Sequence, residues 1–252
     1  MAGRLRKIPR VLGYAAHQLY LGARGKAFPI ATLDNLAWYS SSDKLLPTVA
    51  LETIFPGITR TTIRLNRAVP KQAGNLTTDE LCVLAMICQL LAPRRIFEFG
   101  TCNGRTTLNL ATNTPEDAVI FTLDLPASAS VQLAIDKQDK RFVLGTRTGF
   151  FFHGTPFESK IRQLFDDSAV FDESDYRGHM DLVFVDASHT YEYVRNDSTK
   201  GLNMLASGGV MIWHDYCASY PGVPRHLHDL SRERKLFHVE GTHLAVMPPS
   251  VF

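Results

Sequence analysis

The chain has little cysteine, no long apolar run and no dense stripe of one charge. Its four cysteines, Cys82, Cys88, Cys102 and Cys217, show neither zinc-site spacing nor a disulfide framework. That excludes a disulfide-stapled scaffold and points to a reducing, cytoplasmic setting. No segment reaches the run of about 18 apolar residues that a membrane helix needs. The nearest stretch, Val11 to Ala23, is broken by Gly13, His17, Gln18 and Gly22 and lacks a small-residue cleavage site. Neither an integral membrane protein nor a secretory leader is expected. Internal repeats and low-complexity tracts are missing too, which excludes solenoids and arrays. Acids are absent from residues 1–33, which hold Arg4, Arg6, Lys7, Arg10, Arg24 and Lys26. Such a basic arm suits contact with a membrane surface or nucleic acid, but a solvated terminus is the preferred reading.

What is present bounds the answer from the other side. The 252 residues are 45% apolar, enough for one sizeable core, and the net charge of +2 names no partner. The expected organisation is an N-terminal basic arm and helical appendage over residues 1–75, then one domain over 76–252. Thr77-Thr78-Asp79-Glu80 carries hydroxyl and acid side chains suited to capping a helix, which runs to Leu91 and stops before Pro93. Cys82 and Cys88 lie in this run and are expected in the core. Beyond it the pattern alternates. Strands are expected at 96–99, 118–123, 161–165, 181–186, 209–213, 235–239 and 242–247. Helices are expected at 104–112, around 128–139, at 190–205 and at 223–234. Alternation of this kind implies an α/β fold: a Rossmann-like, seven-stranded, mostly parallel sheet with helices on both faces. Ligands of such sheets bind at the carboxyl ends of the strands, near the topological switch point.

The most informative stretch is Ile96-Phe97-Glu98-Phe99-Gly100-Thr101-Cys102-Asn103-Gly104-Arg105-Thr106-Thr107. An apolar run ends in a carboxylate, then a glycine-punctuated turn, then a helix N-terminus with free N–H groups. A second acid, Asp124, closes the next apolar run. Two carboxylates at neighbouring strand ends suit a ligand rich in hydroxyls and cationic groups, and suit a pyrophosphate poorly.

Glu98-x-Gly100-x-x-x-Gly104 with Asp124 beyond it resembles the cofactor loop of class I S-adenosylmethionine (SAM) dependent methyltransferases. The resemblance continues in order through Ile161 to Ser168, Met180 to Tyr191, and Ser207 to Tyr216. Asp186-x-x-His189-x-Tyr191 paired with His214-Asp215-Tyr216 is similar to a small-molecule O-methyltransferase subgroup found in bacterial biosynthetic clusters. The match spans roughly Arg94 to Pro248. It departs from the family at Cys102, where the middle glycine usually stands, and at Asp166, where glycine is common.

The resemblance implies roles. SAM would be the cofactor, bound by Glu98, Gly100, Thr101, Asn103, Gly104, Asp124, Asp167 and Ser168. Glu98 would hold the methionine amino end, directly or through water. Asp124 would accept both ribose hydroxyls, and Asp167 and Ser168 would lie near the adenine. Gly100 and Gly104 would let the backbone approach the cofactor. Asp186, His189, His214 and Asp215 would form the catalytic group. His189 or His214 suits a base near neutral pH, or Asp186 and Asp215 bind Mg²⁺ through oxygens. A structural role for both histidines also stays open. Tyr191 is expected to face the site and Tyr193 the solvent or a partner. Trp213 is expected in the core, and His226 and His228 on the surface. The aromatic segment Phe142 to Glu158 either covers the site or is a buried connection.

The leading expectation is a SAM-dependent methyltransferase acting at oxygen of a small-molecule acceptor. A SAM-binding or regulatory protein of the same fold without methylation activity is the alternative. A dehydrogenase would need a tighter Gly-x-Gly-x-x-Gly turn, which the chain lacks. A nucleic-acid methyltransferase would want an Asn/Asp-Pro-Pro-aromatic motif after the fourth strand and a dense basic stripe. Asp186-Ala187-Ser188-His189 stands there instead. No heptad or exposed strand demands a homo-oligomer, and the oligomeric state is left open.

Overall fold

A computed structural model of the chain describes residues 45–68, 74–126, 132, 139 and 147–249. The basic arm, most of the expected appendage, the expected helix at 128–139 (save residues 132 and 139) and the start of the aromatic segment at 142–146 lie outside the described residues.

Among the described residues eight strands form a single sheet: β1 (Thr48–Val49), β2 (Arg95–Phe99), β3 (Val119–Asp124), β4 (Ile161–Phe165), β5 (Met180–Val185), β6 (Leu205–Trp213), β7 (Phe237–Val239) and β8 (Ala245–Met247). Their spatial order is β1-β7-β8-β6-β5-β2-β3-β4. Only β8 runs antiparallel, against β6 and β7. Among the described residues five α-helices accompany the sheet: α1 (Leu51–Ile54), α2 (Thr78–Leu91), α3 (Arg105–Thr112), α4 (Tyr191–Met204) and α5 (Gly222–Leu230). The eighth strand corrects the expected count of seven. At two residues β1 is too short to leave an alternating pattern, and its pairing with β7 is a tertiary event.

The strands alternate as the period of two requires. Ile96, Ile120, Leu182, Phe184, Val210 and Ile212 pack against α2 and α3, through Leu81, Leu84, Ile87, Cys88, Leu108 and Ala111. Phe97, Phe99, Leu123, Val183, Val185, Met211 and Trp213 face the other way, against Val194 of α4 and Val223 and Leu227 of α5. Trp213 is fully buried, and its indole N–H donates to Ser198 Oγ at 2.9 Å. Helix α2 begins as its sequence asks. Glu80 N–H donates to Thr77 Oγ1, and the Glu80 carboxylate accepts from Thr77 N–H at 2.8 Å, a complete capping box. The helix ends at Ala92 in the left-handed region, just before Pro93. Of its two cysteines, Cys88 is in the core and Cys82 is half-buried.

The order places β2 beside β5, so the chain reverses direction of winding between them and leaves a crevice at their carboxyl ends. Backbone hydrogen bonds extend past the strands there: Gly100 N–H to Leu123 O, Asp186 N–H to Phe99 O, and His214 N–H to Val185 O, at 2.8 to 3.0 Å. This register delivers Gly100, Asp186 and His214 to one rim.

His226 of α5 is a correction to the surface expectation. It is 6% exposed, with Tyr191 edge-on at 5.7 Å, and neither ring nitrogen has a hydrogen-bond partner among the described residues. Burial pushes its pKa down to about 4. A depressed histidine stabilises the fold above its unfolded value of 6.5, and that contribution is lost as pH falls toward 4. The wild type should lose up to about 3 kcal/mol by this route. His226→Leu should flatten the decline of the unfolding midpoint between neutral and acid pH. Parallel declines in both proteins would refute the assignment.

Candidate active site at the strand ends

Gly100 is required by packing. A Cβ there would lie 2.1 Å from the Asp186 carbonyl oxygen, and φ is +95°. The loop after β2 can therefore press against the loop after β5 only if residue 100 lacks a side chain. Gly104 is required for a different reason than the approach of a ligand. A Cβ there would meet Phe152 Cδ1 at 2.6 Å and Gly149 Cα at 2.9 Å. The segment 147–152 bonds to the loop, with Gly149 N–H to Cys102 O and Phe151 N–H to Asn103 O. Within the aromatic segment Phe152 is thus a buried buttress, whereas Phe150 is exposed.

Two open spaces meet at this rim. The first is a cleft lined in part by Gly100, Cys102, Asp124, Asp167, Ser168 and Tyr193. The second is a cavity of about 310 Å³, lined in part by Glu80, His189, His214, Asp215, Tyr220 and His243. Cys102, Asp186 and Ala187 line both. Cys102 takes a left-handed φ of 47° in the turn.

Among the cofactor residues expected from sequence, Gly100, Asp124, Asp167 and Ser168 reach the cleft wall. Thr101, Asn103 and Gly104 build the loop from behind. Thr101 Oγ1 bonds Thr122 Oγ1 at 2.7 Å, and Asn103 Oδ1 accepts from Arg105 N–H at 3.0 Å. Asp124 Oδ2 accepts from Cys102 N–H at 2.7 Å, and Oδ1 from Leu125 N–H at 2.8 Å. Each oxygen keeps acceptor capacity, since a carboxylate offers about four lone-pair sites. Burial raises its pKa. Asp167 accepts from Gln132 N–H, Ala169 N–H and the Tyr193 hydroxyl, so it organises its own turn. The tyrosines of α4 exchange the positions expected of them. Tyr193 is buried and lines the cleft, whereas Tyr191 sits outside and donates to Asp229. The buried stripe of the helix runs Tyr193, Val194, Asp197, Ser198, Gly201 and Met204, and Tyr191 falls off it.

Glu98 lies wholly buried on the face of the sheet toward α3. Its Oε2 accepts from Thr107 Oγ1 at 2.5 Å and Thr122 Oγ1 at 2.6 Å, while Oε1 has no partner among the described residues. Burial pushes its pKa up to about 8, against the two threonine bonds.

The second space holds a carboxylate–imidazole lattice. His189 Nδ1 bonds Asp139 Oδ1 at 2.5 Å and its Nε2 bonds Asp215 Oδ2 at 2.7 Å. His214 Nδ1 bonds Asp186 Oδ1 at 2.9 Å and also lies 3.1 Å from Asp215 Oδ2, while its Nε2 is 3.4 Å from Glu80 Oε2. The His189 ring stacks on Tyr220 with centroids 3.9 Å apart. Neither histidine titrates near neutrality, contrary to the sequence expectation. Burial alone would depress His189, but the bonds to Asp139 and Asp215 raise it to about 10. Burial is likewise outweighed at His214 by Asp186 and Asp215, which raise it well above the ordinary value. Asp215 goes low, since the His214 charge outweighs burial, and Asp186 goes up by burial. Asp139 and Glu80 are the residues that sequence reasoning missed. Asp139 also accepts from Ser188 Oγ and His189 N–H. Nothing around Asp139 in the sequence marks it, and Glu80 reads only as a cap.

A buried carboxylate with a raised pKa weakens the fold as pH climbs from the ordinary 4.5 toward 8, because the folded form holds its proton more tightly. Glu98→Gln should therefore be more stable than wild type at pH 8.5, by on the order of 2 kcal/mol, with the gap closing toward pH 4.5. Denaturant unfolding at both pH values decides it. A gap that does not change with pH would mean Glu98 is ionised throughout.

A family model described as a methyltransferase domain matches residues 97–216. No curated protein matches the chain in sequence. Among solved structures, the SAM-bound O-methyltransferase TomG of Streptomyces achromogenes, involved in tomaymycin synthesis, is similar with a TM-score of 0.54 at 15% identity. The likeness covers 76% of this chain and 94% of that one. The methyltransferase PaMTH1 of Podospora anserina, bound to S-adenosylhomocysteine, is similar with a TM-score of 0.52 at 17% identity, covering 89% of this chain and 97% of that one. Residues 97–216 thus match a methyltransferase domain, and the chain shares the fold of these methyltransferases.

Proposed function

We propose that the protein transfers a methyl group from SAM to a hydroxyl oxygen of a small-molecule acceptor. The observation that carries this reading is the shared wall. Cys102, Asp186 and Ala187 border both the cleft and the cavity, so a donor in one space faces an acceptor in the other. TomG, with a similar fold, is an O-methyltransferase bound to SAM.

The residues present fit SAM. Asp124 presents acceptor capacity for the ribose hydroxyls at the end of β3, and Asp167 and Ser168 line the same cleft and would lie near the adenine. Glu98 Oε1, without a partner among the described residues, suits the cationic methionine amino end through water. When bound, SAM supplies a methyl carbon on a sulfonium, which needs little activation. The protein's share is to hold the acceptor oxygen in line and to take its proton.

The lattice sorts those tasks. Asp215 stays ionised between two imidazoles, whereas burial raises Asp186, and such a split separates a charge-holder from a proton acceptor. Asp186 is therefore assigned as the base. The imidazoliums of His189 and His214 line the same cavity and stabilise negative charge developing on the acceptor oxygen. Mg²⁺ on Asp186 and Asp215 does not fit this arrangement. A hard dication wants an oxygen shell, and the third donor grouped with these two carboxylates is the His189 imidazole rather than an oxygen. A SAM binder without activity would give this lattice no task.

Asp124→Ala should weaken SAM binding by at least about tenfold in calorimetric titration, about 1.4 kcal/mol or more, with an unchanged circular-dichroism spectrum. Full affinity in that variant would remove Asp124 from the ribose contact. Asp186→Asn should keep SAM affinity while losing methyl transfer in a screen of hydroxylated acceptors. Wild-type turnover from Asp186→Asn would take the base role away from Asp186.

A further inference from the structure

Cys217 and His243 have no task in the scheme above, yet both line the acceptor cavity beside Asp215. The donor atoms of Asp215, Cys217 and His243 lie within 4.8 Å of one another. They come from two loops that are bonded together, since Tyr216 N–H donates to His243 O at 2.9 Å. The loop after β6 therefore carries Asp215 and Cys217, and the turn between β7 and β8 carries His243, at a fixed separation. Backbone N–H groups of Ser219 and Tyr220 hydrogen-bond the Cys217 sulfur. These donors orient the sulfur, as outer partners of metal ligands do, against burial and the Asp215 charge, which push the pKa of the free thiol up to about 11. Across the cavity, His243 Nδ1 is 3.9 Å from Glu80 Oε1, beyond hydrogen-bond reach. Both imidazole contacts to Asp215 fall on Oδ2, so its Oδ1 takes no part in them.

We propose that Asp215, Cys217 and His243 form a binding site for a transition-metal dication of the zinc–cobalt class, with an open position toward the acceptor cavity.

The donor set selects the ion. A thiolate and an imidazole are soft or borderline ligands that suit zinc and its neighbours, and they exclude magnesium and calcium as preferred occupants. Three protein ligands leave a fourth tetrahedral position, the pattern of a site that accepts an outside oxygen. The neighbouring cluster of Asp186, His189 and Asp215 also groups three donors. There, however, His189 uses both ring nitrogens on Asp139 and Asp215, so a metal would have to dismantle the lattice. On binding, the Cys217 S–H bond breaks, the sulfur–metal bond forms and one proton leaves to solvent. No oxidation or reduction is involved. The site stands whether or not methyl transfer from SAM is the reaction.

The test uses the full-length protein, stripped with a chelator and titrated with Co²⁺. One equivalent should bind with a near-ultraviolet thiolate-to-cobalt band, and Zn²⁺ should displace it while excess Mg²⁺ does not. Cys217→Ser should abolish the band, and His243→Ala should weaken binding by at least about tenfold. Circular dichroism of both variants confirms that they fold. No cobalt binding, or binding with an unchanged spectrum in Cys217→Ser, overturns the site. The second result would move the ion to Asp186, His189 and Asp215. SAM titration of the same samples reports on the cofactor reading separately.

Discussion

The rest of the site depends on how closely the loop after β2 approaches the loop after β5. The two meet where Gly100 faces the Asp186 carbonyl, with no room for a single carbon atom. That contact continues the parallel ladder beyond the strands and aligns Phe99, Asp186 and His214 on one rim. Without it the cleft and the cavity would be separate depressions on a sheet edge. With it they share a wall, and a group held in one is presented to the other. The glycine is thus a statement about protein packing first and about a ligand second.

The electrostatics follow from that geometry. Crowding four carboxylates around two imidazoles in a buried setting removes both histidines from the neutral range and separates the two aspartates that face the cavity. Like-charged groups at close range and low dielectric cannot all ionise at their ordinary values. The arrangement resolves this by alternating sign, with Asp139, His189, Asp215, His214 and Asp186 joined in sequence by bonds of 2.5 to 3.1 Å. A chain of this kind fixes ring orientation as well as charge. A lone histidine at either position would have served as a pH-sensitive base; the chain makes it a fixed cation.

The sheet was legible because strand ends carry strong local signals. Apolar runs closing in Glu98, Asp124 and Asp186, and helices opening at Thr77 and Arg105, are patterns of period two and period 3.6 that need no tertiary knowledge. Residues delivered by tertiary contact were not legible. Asp139 reaches His189 across 50 positions, and Glu80 reaches His214 across 134. Neither neighbourhood in the sequence differs from an ordinary helix end or cap. Tyr191 and Tyr193 were exchanged because the phase of α4 depends on which face meets α5 and the sheet, and two residues are more than half a turn. Gly104 looked like a ligand-facing glycine because the sequence does not reveal that Phe152 fills the space above it.

Glu80 belongs at once to the first turn of α2 and to the far wall of the cavity, with Thr77 on one side and His214 and the His243 backbone on the other. Helix ends fray, and fraying opens on a free-energy scale well below global unfolding. Here an opening of that turn would withdraw a carboxylate from His214 and release the hairpin between β7 and β8. The converse holds by the same bonds: whatever fills the cavity and orders the wall also holds the turn shut. Amide exchange at the start of α2 is thereby tied to occupancy on the opposite side of the molecule's rim, so that a capping motif becomes a reporter of the site.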